Sequence, residues 1–268
     1  MALAEAVIAG LFGLLTGSFL NVCIYRLPRD LSVVHPRSHC PGCENMIAWY
    51  DNIPLLSWIV LKGRCRHCGA GISLRYPAVE LVTGLLFAAG FLVFGPGLPA
   101  VKFCLFAAIQ TALVITDLEQ RILPDELTKG GIAAGIVLAA FVPPPPGLAA
   151  LLLPDTVNSR LAGVIESASS AALLAFVLWG IGALYLRLRG REGLGFGDVK
   201  MVACIAAFLG LSPSLLALAA GSLLGSVAGI AWILIAKKDA STFELPFGSF
   251  LGLGAIAVAL VRPGDFIL

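Results

Sequence analysis

Eight apolar runs divide this chain, at residues 3–25, 78–96, 100–116, 130–146, 161–187, 199–211, 213–236 and 246–262. Crossing a hydrocarbon core of about 30 Å takes about 20 mostly apolar residues, and in lipid an open chain can satisfy its own backbone polar groups only as a helix. A composition of 59% hydrophobic and 13% charged residues, with a mean hydropathy of +0.95, lies far outside the soluble range. The expected fold is an all-α polytopic membrane protein with about eight transmembrane helices. Pro143 to Pro146 end the fourth run early, and Pro213 separates a short sixth run from the seventh, so six or seven crossings are the alternatives. The N-terminus has no basic stretch ahead of its apolar run, which continues to about Tyr25 and is too long for a typical signal-peptide core. It reads as a retained first span.

A formal net charge of +2 is too small to imply a nucleic-acid partner. The placement of the basic residues says more, because Lys and Arg are retained on the cytoplasmic side. Residues 26–77 carry Arg26, Arg29, Arg37, Lys62, Arg64, Arg66 and Arg75. Arg121 and Lys129, then Arg187, Arg189, Arg191 and Lys200, then Lys237 and Lys238 fall on the same side of an eight-span chain. Only Lys102, Arg160 and Arg262 fall on the other. This bias puts both chain ends outside the cytoplasm and puts Asp117, Asp125 and Asp198 at its membrane surface.

The longest polar loop holds Cys40-Pro41-Gly42-Cys43 and Cys65-Arg66-His67-Cys68. Two close pairs supply four thiolates for the closed tetrahedral geometry of structural zinc, and a cytoplasmic loop keeps them reduced. The expected organisation is a first helix at 1–25, a small cytoplasmic zinc-binding module at 26–77 and a helical membrane domain at 78–268. Trp49, Tyr50 and Trp58 either press this module against the membrane surface or form its own core.

Ionisable groups at the edge of a span are costly and mark functional sites. Asp117 ends one apolar run, and Asp198 follows the glycine-rich Gly193-Leu194-Gly195-Phe196-Gly197. These glycines permit close backbone approach and positive φ, so an extended substrate could lie against Gly195 and Gly197. Asp198 also suits a helix cap, and Asp125 reads as a first-turn residue with a supporting role. Two carboxyls sharing a site cannot both ionise cheaply, so one holds a proton while the other takes one from water, which is the chemistry of an aspartic protease. No Ser or Cys beside a membrane-level His and no zinc-protease motif offers a rival mechanism. A carboxylate-dependent carrier and a metal-stabilised scaffold remain as other classes, although no internal repeat supports the first.

Several stretches, taken in order, carry a family resemblance: Gly17 to Val22 with Tyr25-Arg26-Leu27-Pro28, the paired cysteines, Trp49 to Pro54, Arg75-Tyr76-Pro77 with Glu80, Asp117 to Leu127, and Gly195 to Lys200. With these the chain resembles the type IV prepilin peptidases, bifunctional leader peptidases and N-methyltransferases of bacterial pilus and type II secretion systems. The resemblance implies that Asp117 and Asp198 are the catalytic pair, with Gly195, Gly197, Lys200 and Asp125 in substrate-binding or supporting roles. It implies a substrate among prepilins and pseudopilins, cut after a Gly at the cytoplasmic face of the bacterial inner membrane. It also implies methylation of the new N-terminus with S-adenosylmethionine, for which Glu44, Asp51, Asn52, Arg75 and Glu80 are the candidate contributors. The position of Asp125 is often Asn in the family, which argues against an obligatory carboxylate there.

Overall fold

A computed structural model describes residues 2–154, 156–191, 193–236 and 245–261; the basic positions Lys237, Lys238 and Arg262 lie outside the described residues. Among the described residues the regular structure is helical, apart from two isolated β-bridges. The helices are α1 (Ala2–Arg26), α2 (Leu56–Val60), α3 (Arg75–Phe94), α4 (Leu98–Gln120), α5 (Asp125–Ala139), α6 (Leu148–Leu152), α7 (Ser159–Arg189), α8 (Phe196–Leu209), α9 (Leu211–Ala236) and α10 (Phe247–Ala259).

A helix stands at each of the eight apolar runs. α1, α3, α4, α7 and α9 are long and apolar enough to cross a membrane, as expected of a multi-pass membrane protein. α5, α8 and α10 have 15, 14 and 13 residues. At 1.5 Å per residue each is only about 20 Å long, short of the hydrocarbon thickness. α8 shows how so short a helix is accommodated: it buries Val199, every residue from Met201 to Phe208, and so packs on all sides inside protein.

The chain forms two compact units, residues 1–112 and 113–268. In the first, α1 lies against α3 by way of small residues. A Cβ on Gly13 would fall 2.7 Å from the Thr83 carbonyl oxygen, and one on Gly17 would fall 2.7 Å from the Glu80 Cα. Such contact gives van der Waals attraction where lipid tails remove any hydrophobic preference for protein over solvent. Arg26, buried at the end of α1, folds the following loop onto itself by donating from Nη1 to the Ser32 carbonyl at 2.8 Å and from Nη2 to that of Pro36 at 2.7 Å.

In the second unit α8 packs against α5, α7, α9 and α10. α9 and α10 approach through glycine, since a Cβ on Gly221 would lie 2.7 Å from the Leu251 Cα. The apolar stretch after Pro143 to Pro146 is fixed by one buried acid on α7. Glu166 is 1% exposed; its Oε2 accepts from the backbone N–H groups of Gly147 (3.1 Å) and Ala149 (2.7 Å). Its Oε1 accepts from the Ser170 hydroxyl at 2.8 Å and the Leu211 N–H at 3.4 Å. One carboxylate thus caps the starts of α6 and α9. Glu166→Ala strands buried donors that cost about 1–3 kcal/mol apiece. Thermal unfolding in detergent is expected to show a large loss of stability for Glu166→Ala and a smaller one for Glu166→Gln, which keeps one acceptor oxygen.

Candidate functional site

Asp117 lies in the last turn of α4, and Asp198 lies in the first turn of α8. They meet at α10. A Cβ added to Gly248 would stand 3.2 Å from Asp117 Oδ2 and 3.3 Å from Asp198 Oδ1, so both oxygens lie within hydrogen-bond reach of one point. Any residue larger than glycine at 248 would occupy the gap the two carboxyls share. Asp117 is 6% exposed, while Asp198 is only partly buried.

Asp117 is held from α10. The Ser249 backbone N–H donates to its Oδ2 at 2.7 Å, and the Ser249 hydroxyl lies 2.7 Å from the same oxygen and 3.0 Å from the Val114 carbonyl oxygen. Gly248 and Ser249 were not singled out in the sequence. A small-residue pair inside an apolar run is an ordinary helix-packing signal, and nothing local marks it as facing an acid.

Asp198 caps α8 from inside its first turn, with its carboxyl facing back to the backbone N–H of Gly195. The N-cap is Gly195, and Asp198 sits three residues further on with its backbone N–H bonded to the Gly195 carbonyl at 3.1 Å. The turn does not use positive φ at Gly195, where φ is −68°. Its glycines serve close approach instead: a Cβ on Gly193 would fall 2.5 Å from the Tyr185 ring, and one on Gly195 would fall 3.3 Å from Asp198 Oδ2. Gly197 packs on Leu123, which fills part of the space expected for an extended ligand.

Asp125 begins α5 and is exposed. It pairs with Lys129 at 2.6 Å and with Lys200, so Lys200 joins the starts of α5 and α8. The Lys129 and Lys200 ammonium groups hold the Asp125 carboxyl at about 2, and it remains an anion at any ordinary pH. That fits a positioning contact better than a proton carrier.

The first unit carries the other set of groups. The sulfurs of Cys40, Cys43, Cys65 and Cys68 lie within 4.8 Å of one another, and those of Cys40 and Cys68 are 3.8 Å apart. A tetrahedron of 2.3 Å metal–sulfur bonds needs edges of about 3.8 Å. Each pair sits on a matching turn: Glu44 N–H bonds the Cys40 carbonyl at 2.8 Å, and Gly69 N–H bonds that of Cys65 at 3.0 Å. The four thiols fit a metal ion. Asn45 Nδ2 points at Cys43 Sγ from 3.6 Å.

Beside this cluster is a cavity of about 400 Å³, within the range of small-molecule sites. Asp51, Asn52 and Glu80 line it together with Asn21 and Cys40, whereas Glu44 and Arg75 are not among its lining residues. Glu44 is exposed on the cysteine turn, and Arg75 stacks on the Tyr76 ring at 4.5 Å. Asp51 is clamped by Arg66 through contacts of 2.6 and 2.8 Å, which keep its carboxyl below the ordinary range. Glu80 Oε2 accepts from the Leu55 N–H at 2.8 Å. Asn21 is 3% exposed; its Nδ2 donates to the Tyr76 carbonyl at 3.0 Å, while its Oδ1 has no partner. A buried unpaired acceptor on a cavity wall is the mark of a missing ligand or water. Trp58 belongs to the module's own packing, with Nε1 bonded to the Ile72 carbonyl at 3.1 Å, while Trp49 is 74% exposed.

The family model of the bacterial peptidase A24 N-terminal domain matches residues 11–94, and that of the type IV leader peptidase family matches residues 104–230. A prepilin leader peptidase/N-methyltransferase of Myxococcus xanthus is 42% identical over 229 residues, covering 85% of this chain and 63% of that protein. One of the same name from Aeromonas hydrophila is 36% identical over 91% of this chain and 86% of its own. A type 4 prepilin-like proteins leader peptide-processing enzyme of Escherichia coli is 38% identical over 97% of this chain and 95% of its own. No solved structure matches the chain.

Cys68 is exposed, so it offers a direct test of the metal cluster. Adding a thiophilic divalent metal is expected to slow its alkylation by on the order of tenfold or more, with Cys40→Ser abolishing the protection. Equal labelling with and without metal would contradict a shared site.

Proposed function

The chain belongs to the type IV leader peptidase family, and from that premise we propose that it is a membrane aspartic endopeptidase with a second, methyl-transferring activity. It removes the basic leader of a type IV prepilin or pseudopilin after a Gly, with Asp117 and Asp198 as the acid–base pair. The observation that carries this reading is the convergence of the two carboxyls on Gly248. One carboxylate takes a proton from water, whose oxygen attacks the scissile carbonyl carbon, while the other carboxyl gives its proton to the carbonyl oxygen. Collapse then breaks the C–N bond, with a proton delivered to the leaving amine and the second carboxyl reprotonated. Gly195 leaves room around Asp198, Gly197 lets Leu123 pack against the turn, and Lys200 and Asp125 hold the starts of α8 and α5.

The basic loops favour a bacterial inner-membrane protein with this site toward the cytoplasm. A first helix at 1–25, a module at 26–77 and a membrane domain at 78–268 remain the functional division this reading suggests. The four-cysteine cluster suits structural zinc, since four thiolates leave no open coordination position. S-adenosylmethionine would supply the electrophilic methyl group. The cavity beside the cluster is where this chain's residues fit it: Asn21 Oδ1 offers an unpaired acceptor, Glu80 offers negative charge to a sulfonium, and Asn52 and the Arg66-paired Asp51 offer further hydrogen bonds.

Incubating the detergent-purified protein with a prepilin peptide tests the peptidase. Asp117→Asn and Asp198→Asn are each expected to lose at least about 10²-fold in cleavage while still inserting and folding; retained cleavage by either would remove that residue from the pair. The methyl-transfer reading is tested separately by Glu80→Gln, which keeps an acceptor for the Leu55 N–H but removes the charge. A KM for S-adenosylmethionine raised about tenfold with leader cleavage unchanged is expected, as one lost charge contact would give. An unchanged KM would move the methyl donor elsewhere.

A further inference from the structure

We propose that Ser249, in the first turn of α10, is a positioning residue that keeps Asp117 the ionised member of the pair, leaving the proton on Asp198. The inference rests on the peptidase reading and adds the direction in which the proton moves: Asp117 accepts from water and Asp198 donates to the substrate oxygen.

The geometry turns on one hydroxyl proton. Ser249 Oγ is 2.7 Å from Asp117 Oδ2 and 3.0 Å from the Val114 carbonyl oxygen, and it can donate to only one of them. Given to Asp117, that proton joins the Ser249 backbone N–H, which reaches the same Oδ2 at 2.7 Å, so the carboxylate takes two donors on one oxygen. Given to Val114, it leaves a 2.7 Å oxygen–oxygen contact that only a protonated Asp117 could fill. The first arrangement places negative charge where two donors converge in a buried site; the second puts a proton on an oxygen that already faces an N–H. Charge-assisted bonds are the stronger ones, and donors to a carboxylate favour its charged form. Asp198 has one backbone donor, the Gly195 N–H, and the point facing its Oδ1 is Gly248, which brings no donor side chain.

The other ionisable groups around Asp117 do not supply this asymmetry. α10 carries none between Phe247 and Ala259. On α8, Asp198 faces Asp117 across Gly248, and Lys200 is bound to Asp125 of α5, as is Lys129. Glu119 and Arg121 follow Asp117 on its own segment, and the Arg121 backbone N–H bonds the Asp117 carbonyl at 3.0 Å. Ser249 is the side chain whose hydroxyl reaches Asp117 Oδ2.

The test is the pH profile of kcat/KM for leader-peptide cleavage by the full-length protein in detergent, across about pH 4 to 9. The acidic limb reports the group that must be ionised, and the basic limb reports the group that must be protonated. Ser249→Ala is expected to shift the acidic limb up by about one pH unit, the effect of losing one hydrogen bond to a charged group. On that limb it is then about tenfold slower than the parent, recovering as the pH rises. Ser249→Thr retains the parental profile, and Ser249→Cys, a weaker donor of similar size, falls between; the Cys variant carries the comparison if the Ala variant folds poorly. An unmoved acidic limb, or a uniform loss at every pH, reduces Ser249 to a helix-packing residue. A shift of the basic limb instead reverses the assignment and puts the proton on Asp117. If the parent protein cleaves no leader, or Asp198→Asn cleaves normally, the peptidase reading fails rather than this inference.

Discussion

A carboxylate taken out of water loses hydration worth several kcal/mol unless hydrogen-bond donors replace it. Among the described residues this chain buries three acids, Glu80, Asp117 and Glu166. Each is met by backbone N–H groups from another part of the chain. Leu55, which donates to Glu80, stands at the start of α2, and Ser249, which donates to Asp117, stands in the first turn of α10. Gly147, Ala149 and Leu211, which donate to Glu166, stand at the starts of α6 and α9. Helix starts carry N–H groups that have no partner in their own helix, and they favour negative charge. Pairing them with buried acids resolves two unfavourable features at once. It also fixes where α2, α6 and α10 begin, although two of these helices are only five residues long.

Such pairings need backbones brought close, and glycine supplies the distance. Gly13 and Gly17 let α1 approach α3 near Glu80, and Gly248 leaves the gap into which Asp117 and Asp198 project. The long helices α7 and α9 bury only 11% and 17% of their most apolar windows and present the rest outward, as lipid-facing helices do. The polar contacts therefore concentrate on the short, enclosed elements. α8 is the clearest case, since its burial lets a 14-residue helix carry Asp198 without crossing a bilayer by itself.

Much of this was legible in the sequence because it is written in local signals. Apolar runs located a helix at every expected place, and two Cys-x-x-Cys pairs located the metal-fitting cluster. An acid at the edge of an apolar run drew attention to Asp117 and Asp198, which the fold brings together. What escaped was non-local. Gly248 and Ser249 lie 131 and 132 residues beyond Asp117 and matter only through tertiary contact. Glu166 does carry a signal, an acid inside an apolar run, but its partners on α6 and α9 are set by tertiary contact. The glycine turn does lead to Asp198, but its glycines make room for Tyr185, Leu123 and Asp198 instead of placing Gly195 in left-handed backbone. Glu44 and Arg75 illustrate the limit of proximity in sequence, being near the cavity residues along the chain but absent from its lining.

The buried acids also differ in how completely their oxygens are satisfied. Glu166 receives donors on both oxygens, from α6, from α9 and from Ser170 on its own helix. Asp117 receives its donors on Oδ2 alone, both from a single residue. The same Oδ2 faces Gly248, and a second acid stands across that residue with no side chain. Donors on both oxygens tie Glu166 into the scaffold from several elements, whereas Asp117 is tied to one. The difference between the two sites lies in the number and placement of N–H groups at helix starts, three for Glu166 and one for Asp117.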